Sequence, residues 1–133
     1  MKIRKIALLL LIAFPSVAAS LPVAGTCKLD QEVAGINFGT AVTWKGSDAT
    51  VATGGNKLSG NVVGLRDHSG GFKLSVRYED PIMGLSEIII FEMPSSEPPV
   101  HRMATVTYDM VENGERVVSS VNPFEDAVCA VLE

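Results

Sequence analysis

The sequence is poor in the residues that build disulfide frameworks, metal cages and catalytic centres: 133 residues include two cysteines, two histidines, one tryptophan and two tyrosines. It contains no phosphate-cradling glycine loop, zincin motif or Gly-x-Ser-x-Gly elbow, so no activated nucleophile announces itself and a non-enzymatic role is expected. After residue 20 there is no apolar stretch long enough for a membrane span. Helical periodicity and internal repeats are also missing, which excludes bundles and solenoids.

What is present begins with a leader. Residues 1–20 carry a basic start (Lys2, Arg4, Lys5), a nine-residue apolar run over 6–14, then Pro15 and small residues. This is the layout of a secretory signal peptide, because the run is too short to cross a bilayer core of roughly 30 Å as a helix. Cleavage after Ala19 or after Ser20 both meet the small-residue requirement. Residues 21–133 are then one exported β-domain, periplasmic or secreted, large enough for a real core but not for two. Setting Lys2, Arg4 and Lys5 aside leaves eight basic residues against fifteen acids, a balance of about −7. An acidic balance argues against a nucleic-acid partner.

Cys27 lies near the start of the exported chain and Cys129 near its end. An even count in an oxidising compartment points to one disulfide between them. Closing a loop of about 100 residues is worth on the order of 4–5 kcal/mol in the chain-entropy account. The spacing does not suit a redox pair, which favours Cys-x-x-Cys, nor a zinc site, which needs more ligands. Lipidation of Cys27 fits poorly, because Thr26 precedes it and Cys129 would lose its partner.

Period-two alternation with turn signals every eight to twelve residues predicts an all-β fold: a small antiparallel β-barrel or β-sandwich of eight or nine strands. Strands are expected over 27–33, 36–44, 49–53, 57–65, 72–78, 87–93, 100–111, 115–122 and 127–132. For the hairpin through 66–70, a turn centred near His68 sets Gly60 opposite Val76 and Gly64 opposite Phe72. Asn113-Gly114 is a strong type I′ hairpin signal, pairing Met110 with Val117, Tyr108 with Ser119 and Val106 with Val121.

A loop centred on Glu97 would pair Met93 with His101, Phe91 with Met103 and Glu92 with Arg102. Ile88, Ile90, Ala104 and Val106 then form the core face. The other face carries Ile89, Phe91, Met93 and Met103, where a strand in water should be polar. A one-residue slip would exchange the faces. Three coverings answer to this face: Trp44, Phe38 or Phe124 of the same chain; a protein partner or second copy; or a small apolar ligand inside the barrel. The leading functional expectation is a partner-binding surface at Ile89, Phe91, Met93 and Met103, in the manner of an inhibitor or accessory module.

Two other constellations are readable. Met93, His101 and Met103 bring together soft thioethers and an imidazole suited to Cu(I). His101-x-Met103 resembles the His-x-Met element of periplasmic copper chaperones over three or four residues, without that family's upstream His and Met ligands. Apart from this Cu(I) alternative no cofactor is expected. Asp67-His68-Ser69 sets acid, base and hydroxyl side by side, but adjacency is not the convergent geometry of a triad, and turn chemistry explains the residues.

Overall fold

A computed structural model describes residues 21–29, 32, 33, 36, 37, 39–110 and 114–132. The leader and the Asn113 half of the Asn-Gly turn lie outside them. The strands are β1 (Ala24–Leu29), β2 (Glu32–Val33), β3 (Ile36–Asn37), β4 (Thr40–Lys45), β5 (Asp48–Thr53), β6 (Asn56–His68), β7 (Gly71–Asp80), β8 (Gly84–Met93), β9 (Val100–Met110) and β10 (Arg116–Leu132). Eight of them close an antiparallel barrel in the order β1-β10-β9-β8-β7-β6-β5-β4, and β2 and β3 form a separate two-stranded pair. The all-β expectation holds, and the barrel is the alternative realised.

Closure is made by the first strand, which pairs with both β10 and β4. Cys27 and Cys129 are direct cross-strand partners on the β1–β10 seam and are disulfide-bonded. The bridge therefore ties β1 to β10, the first and last strands of the barrel, at the seam where it shuts. It is also compatible with an oxidising, exported location.

Eight strands leave an interior just wide enough for side chains to fill. Trp44, Leu74, Val76, Ile88, Ile90 and Met103 are fully buried there. Gly25 makes room for the largest of them, since a Cβ at that position would sit 2.5 Å from the Trp44 ring. The outward positions of β4 to β6 carry Thr43, Lys45, Thr50, Lys57, Ser59 and Asn61, all exposed. Over β4 to β6 an apolar interior therefore lies under a polar wall.

Three registers differ from the sequence expectation, each through turn or bulge chemistry. The β6–β7 turn is two residues, Ser69-Gly70, both at positive φ (52° and 87°), so that Gly60 faces Tyr78 and Gly64 faces Ser75. Ser69 takes a left-handed conformation usually left to Asn or Gly, which hid the tight turn. In β9–β10 the pairs Arg116 with Met110 and Val117 with Asp109 are one residue off near the tip, and a bulge between Val118 and Ser120 restores Val121 opposite Val106. A second shift, between Asn122 and Glu125, spans Pro123. Proline is tolerated at such an irregularity, and 116–132 runs on as one strand rather than two.

The third difference bears on function. In β8–β9, Ile90 faces Met103, Phe91 faces Arg102, Glu92 faces His101 and Met93 faces Val100. The whole hairpin is slipped by one residue from the expected register, and one slip exchanges faces. Met103 passes into the core, 1% exposed, beside Ile88 and Ile90. Ala104 and Val106 pass to the outer side of the sheet but remain buried, 3% and 8% exposed. The expected Glu92–Arg102 ion pair is replaced by a 3.0 Å contact between Glu92 Oε2 and His101 Nε2.

An apolar outer wall across strands β8 to β10

The outer wall is built upward from Phe91. Its ring lies 4.7 Å from that of His68 on the β6–β7 turn and 5.2 Å from Phe124 on β10. Lys73 on β7 places Nζ 5.6 Å from the same ring, within cation–π range. Phe124 reaches this position because the register shift between Asn122 and Glu125 re-aims the strand. Arg102, paired opposite Phe91, donates from Nη2 to the Phe124 carbonyl at 3.3 Å and sets Nε 3.5 Å from Asp126 Oδ1. His68, Phe91, Met93, Arg102 and Phe124 line a shallow groove of about 210 Å³.

Around the groove the wall is apolar. Ile89 is half-buried between Ser75 and Ala104, Met93 is 40% exposed, Phe124 39% and Val121 57%. At the end nearer the β9–β10 tip it stops at a polar cluster, where Arg77 Nη2 donates to Glu87 Oε2 at 3.1 Å and the Tyr108 hydroxyl donates to the same oxygen at 3.4 Å. Burial and the neighbouring Glu87 carboxylate raise the Tyr108 pKa above its ordinary 10.0.

The wall also carries a charge arrangement that costs the fold something. Arg66 and Lys73 are direct partners across β6 and β7. Like charges placed opposite each other on a sheet face are destabilising. In a chain with far more acids than bases, two cations side by side at the edge of an aromatic groove stand out.

The structure divides the expected site. Ile89, Phe91 and Met93 share the outer wall. Met103 does not, because the β8–β9 slip buries it. Of the internal coverings expected for this face, Phe124 is in contact but remains exposed, Trp44 is in the core, and Phe38 lies outside the described residues. The metal alternative loses its convergence: Met93 is on the outer wall, Met103 is inside, and His101 is engaged with Glu92. Asp67, His68 and Ser69 follow one another around an exposed hairpin end, with the His68 ring against Phe91. The sequence reading missed Val121, His68, Lys73 and Arg102 as parts of the wall. Pro123 inside an alternating run was the available sign that β10 bends there.

No family model, curated protein or solved structure matches the chain.

Proposed function

We propose that the protein is a non-enzymatic, exported binding module that holds a protein partner on the outer wall of β8 to β10, through Ile89, Phe91, Met93, Val121 and Phe124. One observation carries the reading: apolar side chains line the outside of a barrel that already has a packed apolar core of its own. The small apolar-ligand alternative needs an apolar hollow, whereas Trp44, Phe72, Leu74, Ile88 and Ile90 pack the apolar part of the interior and the hollows at its other end are lined mainly by polar side chains.

Charge selects the partner. Arg66 and Lys73 beside the groove favour a partner that presents carboxylates around an apolar centre, and such a partner would offset their mutual repulsion. On this reading the partner is a different protein, one that supplies those carboxylates around its own apolar centre.

The test is a photo-crosslinking side chain at position 124, compared with one at position 50 on the polar wall of β5. In the exported fraction of the native host, position 124 should capture an acidic protein and position 50 should not. Arg66→Glu combined with Lys73→Glu should lower the yield at least tenfold. Equal capture from both walls, or capture indifferent to the charge reversal, would overturn the reading.

A further inference from the structure

The inward-facing positions of the barrel divide into two halves of opposite chemistry. Toward the β4–β5 and β6–β7 turns they are apolar (Val42, Trp44, Val51, Phe72, Leu74, Ile90) apart from the paired Glu92 and His101. Toward the opposite end, where β7 passes into β8, six strands turn hydroxyls and amides inward instead. Thr40, Thr53, Tyr78, Ser86, Thr105, Thr107, Ser120 and Asn122 line one hollow of about 150 Å³, with Asp80 and Met83 at its edge. A second hollow of about 200 Å³ adjoins it, sharing Thr40, Thr105 and Asn122 and adding Leu29, Met103, Ala104 and Glu125. Polar groups turned into a barrel cost free energy unless something meets their hydrogen bonds.

Some of those bonds are internal. Thr40 and Thr53 hydroxyls lie 3.4 Å apart, Thr107 bonds Ser119 and Ser120, and Ser86 donates to the Gly84 carbonyl at 3.1 Å. Each hydroxyl has one donor and two acceptor positions, so the cup retains capacity after these contacts. Its volume is that of about five waters at ~30 Å³ each, matching the number of hydroxyls on one sugar ring.

Charge and shape narrow the class. No Lys, Arg or His lines either hollow, so an anion finds no counter-charge among the described residues. The Asp80 carboxylate is tied down by the Ile82 and Met83 amides at 2.8 and 2.9 Å. Lys28 and Lys57 lie on the outer side of Thr40 and Thr53, outside both hollows. Tyr78 and Met83 supply an apolar strip beside the hydroxyls, as the two-sided surface of a sugar ring requires.

We infer that this end of the barrel is a second binding site, independent of the outer wall, for one uncharged polyhydroxylated ring: a free monosaccharide or the end of a glycan chain. Ligand hydroxyls would replace the cup's waters bond for bond, which gives weak binding, in the millimolar range.

The test is saturation-transfer NMR on the full exported chain with glucose, with cellobiose as a chain end, and with phosphate and putrescine as charged probes. Glucose or cellobiose should receive saturation, with amide shifts confined to Ser86, Thr105, Thr107, Ser120 and Asn122. Preference between the two sugars separates free monosaccharide from chain end. Thr105→Val with Asn122→Leu should weaken binding at least tenfold. Should that pair fail to fold, Thr105→Val alone and the shift map of the unaltered protein still decide the matter. Absence of transfer to either sugar, shifts elsewhere, stronger binding of a charged probe, or transfer unaffected by substitution would overturn the inference.

Discussion

Phe91 and Met103 show how far one residue of register carries. Both are apolar, both lie in alternating strands, and pairing them across the loop puts them on one face. The structure pairs Phe91 with Arg102 and Met103 with Ile90, and the two end on opposite sides of the sheet. That alternation exists was legible in the residues. Which phase faces inward was not, because β8 is apolar in both phases and the six-residue loop over 94–99 contains no turn signal that fixes its centre. Tyr78 offers a test at this scale. Burial, aided by the Asp80 charge, raises its pKa above 10.0, against a weaker opposing hydrogen bond with Ser86. The stability carried by the neutral phenol is then fully present below about pH 10 and is lost as pH rises through the higher folded value. Urea midpoints should be level from pH 8 to pH 10 and fall above it, with phenolate absorbance rising alongside unfolding.

At the scale of elements, hairpin chemistry decided where the sequence reading succeeded. The two-residue reading of Asn113-Gly114 is one residue off at the tip, where Arg116 faces Met110, and it meets the observed pairing at Val106 and Val121 only beyond the Val118 to Ser120 bulge. Bulges leave little trace in a single sequence, since they add one residue without changing composition. The Ser69-Gly70 turn was hidden for a related reason, as serine is an unusual occupant of a positive-φ position. Its φ of 52° leads to a direct expectation. Ser69→Gly should stabilise the protein by up to about 1 kcal/mol, since glycine avoids the left-handed penalty while giving back some of that gain through unfolded-state entropy. Equilibrium urea unfolding measures the difference, and a loss of stability would show that the serine side chain holds the turn.

At the scale of the whole molecule, chain ends, disulfide and barrel closure are one device. Cys27 and Cys129, 102 residues apart, face each other on the seam between first and last strands. This was the most legible part of the fold, because two cysteines leave one intramolecular pairing. Cys27→Ser with Cys129→Ser should cost on the order of 4–5 kcal/mol in the chain-entropy account, less any native strain relieved, read as a lowered urea midpoint. A change below about 1 kcal/mol would mean that the unfolded chain already keeps its ends together.

The division between a packed apolar core and a separate apolar outer wall is the central claim, and the Phe91→Ser with Phe124→Ser double variant tests it most directly. Its unfolding free energy should lie within about 1–2 kcal/mol of the unaltered protein, while crosslinking from a probe at position 121 to the acidic partner disappears. A loss per phenylalanine of about 3–5 kcal/mol, the range for core truncation, or an undiminished crosslink, would contradict it.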